Sequence, residues 1–292
     1  DKMGNAFITR MAFRGPDRAH EYWMDFYLPG LGFFGIKDDP GPEGEGFQQG
    51  NLKWVPEEIG WKWRVTWNGP VHDKQGNSHP CSIDLLFTGE HPVYDYAKSS
   101  DRALIAKAIA SEKWTKEFFH AMKDTHQVHY EQTGNFKGYI ELDGKRYDMD
   151  LRASRDHSFG SRNWLTWDRH YWFTGISDDG FHWTVTTIKW QFLGRLTAGF
   201  ITGPDGSTDA IVETTDLETI HRNGLKPDHG TIEIHTRSGK KHILEFHRSG
   251  EFPYLHDGKY MMREGIATYK FNGTDGLGMA EYGFHADINK VD

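Results

Sequence analysis

The chain has 292 residues, enough for one large domain or two medium ones with real cores, and a net charge of −8 without any Lys/Arg cluster excludes nucleic acid as a partner. Hydrophobic residues are sparse at 37%, yet aromatics reach 14% with 11 Trp, which excludes disorder and implies a core built from large rings. The single cysteine, Cys81, excludes an internal disulfide and favours a reducing, cytoplasmic compartment; no apolar run approaches the roughly 18–20 residues that span a bilayer, so a soluble protein without a transmembrane segment is expected.

Along the chain the dominant period is two. Ala19–Leu28 and Trp61–Trp67 alternate bulky and polar residues, and Cys81–Phe87 does the same. From Ser100 to Lys123 the spacing turns helical, with apolar residues at Leu104, Ile105, Ala108 and Ile109, then Trp114, Phe118, Phe119 and Met122. Two short surface helices are predicted there, the first capped by Ser100 or Asp101 and the second by Ser111. Strands resume at Gly138–Leu142 and Arg146–Leu151, which flank Asp143-Gly144, a type I′ hairpin dipeptide. In the second half Tyr171–Ile176 pairs with Phe181–Trp190 across Ser177–Gly180, Thr197–Ile201 with Ala210–Thr214, and Gly230–Thr236 with Lys241–His247. Met261–Phe271 and Met279–Phe284 complete the series. Helices never alternate with strands, so a doubly wound sheet is excluded. The expectation is an all-β chain of two tandem antiparallel barrels, residues 1–165 with the helical insert and residues 166–292.

The most unusual stretch is Arg155-Asp156-His157-Ser158-Phe159-Gly160-Ser161-Arg162-Asn163-Trp164, read as following a strand. Polar and charged groups crowd there, interrupted by Phe159 and Gly160, and Trp164 and Trp167 follow. If the segment is buried, its charges must be paired, with Arg155 or Arg162 on Asp156. Asp156 could then orient His157 as a general acid–base group. The competing reading is a structural hub, and the two are compatible. A second cluster is His126-Gln127-Val128-His129-Tyr130-Glu131-Gln132. On a strand Gln127, His129 and Glu131 share one face, and His126 and His129 do not. Only His129 with Glu131 has i, i+2 metal-ligand spacing, too few ligands for a zinc site, so no metal and no other cofactor is expected. There is no Gly-x-Ser-x-Gly elbow and no phosphate-cradling loop, and Cys81 lacks an activating neighbour.

Asp156-His157-Ser158-Phe159-Gly160 resembles the Asp-His-x-Trp/Phe-Gly signature of the AttH-like and hydroxyneurosporene synthase (carotenoid hydratase) superfamily. His129-Tyr130-Glu131-Gln132-x-Gly134 and the hairpin at Gly138 are similar to its less characterised branches. Phe159 departs from the Trp often found there, which puts any indole N–H role in doubt. The resemblance implies two lipocalin-like barrels and a cofactor-free lyase, hydratase or cyclase acting on an apolar isoprenoid-like molecule in a barrel cavity. Asp156, His157 and Arg162 would be catalytic, and Arg155, Trp164, Trp167, His129, Tyr130 and Glu131 would bind substrate. Alternatives are a lipid or pigment carrier or an accessory domain of a larger enzyme, and a homodimer is compatible with either.

Overall fold

A computed structural model describes residues 1–13, 21–36, 46–125, 127–160, 162–215 and 228–285. The strands in chain order are β1 (Ala6–Ala12), β2 (Glu21–Leu28), β3 (Gly32–Gly35), β4 (Gln48–Gln49), β5 (Leu52–Glu58), β6 (Lys62–Asp73), β7 (Ser78–Gly89) and β8 (Tyr94–Asp95). Helices α1 (Tyr96–Ser99), α2 (Arg102–Ala110) and α3 (Lys116–Asp124) follow, then β9 (Gln127–Leu142) and β10 (Lys145–Gly160). A single 3-10 turn at Trp164–Thr166 leads to β11 (Trp167–Ser177), β12 (His182–Trp190), β13 (Leu196–Thr202), β14 (Thr208–Thr214), β15 (His229–Thr236), β16 (Lys241–His256), β17 (Tyr260–Phe271) and β18 (Thr274–His285). The chain is all-β, and among the described residues the α-helices are confined to one insert.

The helical insert differs in detail from its sequence pattern. Asp101 caps α2 by accepting from the Ala103 N–H, as expected. The second cap is Thr115, whose hydroxyl accepts from Phe118 N–H at 3.2 Å; Ser111 closes α2 instead. Residues 111–115 therefore form the connection, and a four-residue helix, α1, precedes the expected pair. Its cap is Asp95.

By their contacts the residues group into two compact units, Asp1–Pro92 with Gly134–Ala153, and Val93–Thr133 with Ser154–Asp292. The divisions fall inside β9 and β10, and the helices group with the second unit. A limit at 165/166 is kept only as a proposal for where the sequence halves part.

In the first unit β2, β3, β6, β7 and β9 are successive neighbours in an antiparallel sheet, with β1 outside β2. Alternation along β7, buried at Cys81, Ile83, Leu85 and Phe87, turns one face toward a core that includes Met24, Phe26, Val65, Trp67 and Leu151. Asp143 (φ 52°) and Gly144 (φ 75°) both take the left-handed conformation that the type I′ turn between β9 and β10 requires.

In the second unit β11 to β18 close into an eight-stranded antiparallel barrel, the ring completed by β11 on β18 from Arg169–Phe284 to Ser177–Gly276. Two more turns with paired left-handed residues, Asp257-Gly258 and Asn272-Gly273, link β16, β17 and β18. Alternate residues meet in one cluster that contains Tyr171, Phe173, Trp183, Phe246, Phe271 and Tyr282. Trp183 stacks on Phe271 at 5.1 Å with nearly parallel rings, and its indole lies where a Cβ on Gly175 or Gly276 would sit. The rings inside this barrel thus pack on one another, as side chains can in a barrel of this strand number.

Candidate functional site

The two polar stretches singled out by sequence lie on neighbouring strands of the second unit, 127–133 of β9 and 154–160 of β10. His126 and Ser161 lie outside the described residues. Arg155–Gly160 is strand, not the segment after one, and this changes the geometry. Successive strand residues point to opposite faces. Asp156 and His157 therefore diverge, and Asp156 does not orient His157.

One face carries Gln127, His129 and Glu131 of β9 with Asp156 and Ser158 of β10. Glu131 is only 1% exposed. Its Oε1 accepts from the Tyr96 hydroxyl at 3.0 Å and the Trp172 indole N–H at 2.9 Å, and pairs with His129 Nε2 at 3.1 Å. Its Oε2 is buried and has no hydrogen-bond partner among the described residues. Each donor is delivered by a separate piece of local structure. Pairing of Tyr94 and Asp95 in β8 with Glu131 and Tyr130 sets Tyr96, the first residue of α1, over the carboxylate. Trp172 stands on the outside of the barrel because Tyr171 and Phe173 face in. His129 is two residues from Glu131 on the same strand. Burial, followed by the charge of Glu131, holds the Tyr96 phenol well above its ordinary value, so it remains a donor.

His129 sits between two carboxylates, with Asp156 Oδ2 at 3.7 Å from the same Nε2. Burial works against the charged ring, but the hydrogen bond to Glu131 and the charges of Glu131 and Asp156 outweigh it and raise the imidazole above its ordinary value. A raised folded-state value adds stability that is complete below the unfolded value of about 6.5 and is lost as pH rises through the folded one. His129→Gln is expected to flatten the decline in stability that the wild type shows above about pH 6.5, as read by denaturant titration at a series of pH values. An unchanged slope would refute the pairing.

The other face carries Tyr130 and Gln132 of β9 with Arg155, His157 and Phe159 of β10. His157 Nδ1 and the Tyr130 hydroxyl are 2.6 Å apart, and the rings meet edge to face at 5.2 Å. Nε2 of this exposed imidazole has no partner among the described residues. Burial of part of the ring lowers its titration, with Arg155 and His129 adding to the effect and Asp156 opposing it.

The arginines also depart from expectation. Arg155 Nε donates to Gln132 Oε1 at 2.8 Å, and Arg162 donates to Gln127 Oε1 and to Ser158 Oγ at 3.0 Å. Asp156, 52% exposed at its side chain, takes His129 as its ion-pair partner in place of either arginine. The Arg162 guanidinium lies over Trp164 and Trp167 at 4.9 and 5.4 Å. Those two indoles are buried against Tyr260 and Met262, with Trp164 stacked on His256 at 4.5 Å. The structure thus joins His129, Glu131 and Asp156 in one group and Tyr130, His157 and Arg155 in another, with Arg162 reaching from Gln127 to the tryptophans. Tyr96, Trp172, Gln127, Gln132 and Ser158 were not among the expected residues. Trp172 carried a signal, a ring at an outward position between two inward ones; Tyr96 carried none. Among the described residues no group of three or more His, Cys, Asp or Glu side chains could hold a metal ion, and no helix is long and apolar enough to cross a membrane.

The model of the family described as "Domain of unknown function (DUF7064)" matches residues 2–286. The chain belongs to that family. No curated protein matches it. Among solved structures, an AttH-like protein from Nitrosomonas europaea superposes with a TM-score of 0.56 at 10% identity, covering 96% of this chain and 85% of that one. Kievitone hydratase from Nectria haematococca superposes with a TM-score of 0.57 at 10% identity, covering 97% and 84%. This member of the DUF7064 family therefore has the AttH-like, lipocalin-type fold that the motif around Asp156 implied. Identity at this level carries the fold and not the reaction.

Proposed function

We propose that this protein is a hydratase-type lyase that adds water to, or removes it from, an apolar isoprenoid-like small molecule without a cofactor. The observation that carries the reading is the Tyr130–His157 pair: Nδ1 is held at 2.6 Å by the phenol while Nε2 faces outward on an exposed ring. The lowered titration of His157 keeps the imidazole neutral near pH 7, the form that can act as a base. Nε2 takes the proton of the attacking water and returns a proton to the adjacent carbon, so one water adds across one double bond and the ring ends as it began. Tyr130 orients the ring, and Arg155 steadies Tyr130, its guanidinium 5.8 Å from the phenol ring. On the opposite face Asp156, His129 and Glu131 hold β9 and β10 in place, and Arg162 links them to Trp164 and Trp167. The shared fold with a protein named a hydratase supports the class of reaction.

A second reading, a carrier for the same kind of molecule, is favoured by the burial of Glu131, which suits architecture better than turnover. Incubation with a panel of isoprenoid alkenes and alcohols in isotopically labelled water separates the two. The enzyme reading expects label in a product that needs active protein. Binding without label in any product would leave the carrier.

A further inference from the structure

The helical insert of the second unit carries two rings that its packing leaves at the surface. Phe118 of α3 is buried with Ala108 and Leu193, and Phe119 lies edge-on against it at 5.1 Å. Trp114, in the connection before α3, meets Phe119 edge to face at 5.9 Å. Phe119 is 47% exposed and Trp114 67%. The indole N–H of Trp114 donates inward to Ile109 O, near the end of α2, at 3.0 Å. The one polar group of that ring is thus answered by protein, and what it presents to solvent is carbon. A single exposed ring is ordinary. Two in contact, held by a capped helix and an anchored indole, form a fixed apolar projection.

Helical phase sorts the charges around it. With Phe118 and Met122 turned to the core, Phe119 shares its flank with Lys116 and Lys123, three residues before it and four after. Glu117 and Asp124 fall on the other flank of the exposed face. Lys113 directly precedes Trp114, and all three lysines are exposed. Glu112 is committed elsewhere, accepting from the Gly194 N–H at 2.7 Å. The rings are therefore bordered by cations in a chain whose formal charge is −8. Screening decides which of these counts. The Debye length is about 8 Å at physiological ionic strength, so a flat surface touching this tip feels the lysines and not the total.

We propose that this tip of the insert docks on an anionic lipid bilayer, with Trp114 and Phe119 entering the interfacial zone and Lys113, Lys116 and Lys123 meeting acidic headgroups. Trp is at home in that zone, and lysines beside buried rings add attraction to negative lipids. A protein partner would call for a broad complementary face, and two rings among three lysines offer a narrow one. The tip shares no residue with the Tyr130–His157 pair, so either reading can fail alone.

The test is co-sedimentation of the full chain with vesicles of phosphatidylcholine, alone or with about one-third phosphatidylserine. Binding to the anionic vesicles should be at least about tenfold tighter than to the neutral ones and should weaken as salt is raised. Phe119→Ala should loosen it several-fold at an unchanged melting temperature, because about half of that ring is already in solvent. Lys116→Glu combined with Lys123→Glu should remove the preference for phosphatidylserine. Asp124→Lys puts a cation at the C-terminal end of α3, where the helix dipole favours one, and should tighten binding by roughly fivefold. A folding defect cannot produce that gain. No sedimentation with either vesicle, equal binding to both, or an Asp124→Lys protein that melts normally without binding more tightly would overturn the assignment. So would a dimer in analytical ultracentrifugation that Phe119→Ala converts to monomer, which would give the rings to a second copy of the chain.

Discussion

Glu131→Ala is expected to destabilise the second unit by about 3–5 kcal/mol, the scale for breaking a buried, hydrogen-bonded charge. The carboxylate is the common acceptor for two elements distant in sequence, α1 through Tyr96 and β11 through Trp172, and for His129 on its own strand β9. Removing it leaves a phenol and an indole N–H without an acceptor in a buried setting and takes the closer carboxylate from His129. Each orphaned donor alone costs about 1–3 kcal/mol. Glu131→Gln keeps an oxygen for the same donors and should cost roughly half as much or less, since geometry survives and only charge is lost. Asp156→Asn is the informative contrast. Its side chain is half in solvent and its ion pair with His129 is long, so a change within about 1 kcal/mol is expected. Denaturant titrations on the three variants check the order, and a Glu131→Ala protein as stable as the wild type would remove the network from any account of the fold.

The buried charge is Glu131 and not Asp156, on which the sequence reading places the pairing with Arg155 or Arg162, and the reason is physical. Alternation and turn chemistry are local, so β7, the Asp143-Gly144 hairpin and the series of second-half strands are legible from residues alone. The i, i+2 relation of His129 and Glu131 is legible for the same reason, and the structure shows them in contact. Burial is a tertiary property. Nothing in Tyr130-Glu131-Gln132 tells that Glu131 and Gln132 are sealed while Tyr130 is only half-buried, because the seal over Glu131 comes from Tyr96 and Trp172, 35 and 41 residues away. The Arg155–Gly160 stretch misleads in another way. Lacking an apolar alternation, it reads as the end of a strand when it is the strand's continuation, with His129, Tyr130 and Gln132 of β9 supplying the partners. Once it is a strand, adjacency of Asp156 and His157 in sequence means separation in space, and a carboxylate–imidazole pair there is excluded by the pleat itself. The helix cap at Thr115 was missed because Ser111 has equal capping chemistry; only the packing of Phe118 with Ala108 and Leu193 decides where α3 begins.

His157→Ala should lower turnover by roughly 10²–10⁴ while leaving the melting temperature close to wild type, the usual scale for loss of a general acid–base group. Stability is spared because the ring is exposed and its one hydrogen bond, to Tyr130, is made at the surface. Tyr130→Phe removes the anchor of Nδ1 and keeps the ring, so its effect on turnover should be in the same direction and smaller. The pH profile adds a signature that packing cannot mimic. Because burial, Arg155 and His129 depress the imidazole against the pull of Asp156, turnover should rise with pH through a value below the ordinary 6.5 and then level off. Substituting Asp156 with Asn removes the charge that opposes them and should move that rise to lower pH still. A His157→Ala protein that folds normally and converts substrate at the wild-type rate would end the catalytic reading of this face. A profile that rises at the wild-type pH in Asp156→Asn would show that another group sets it.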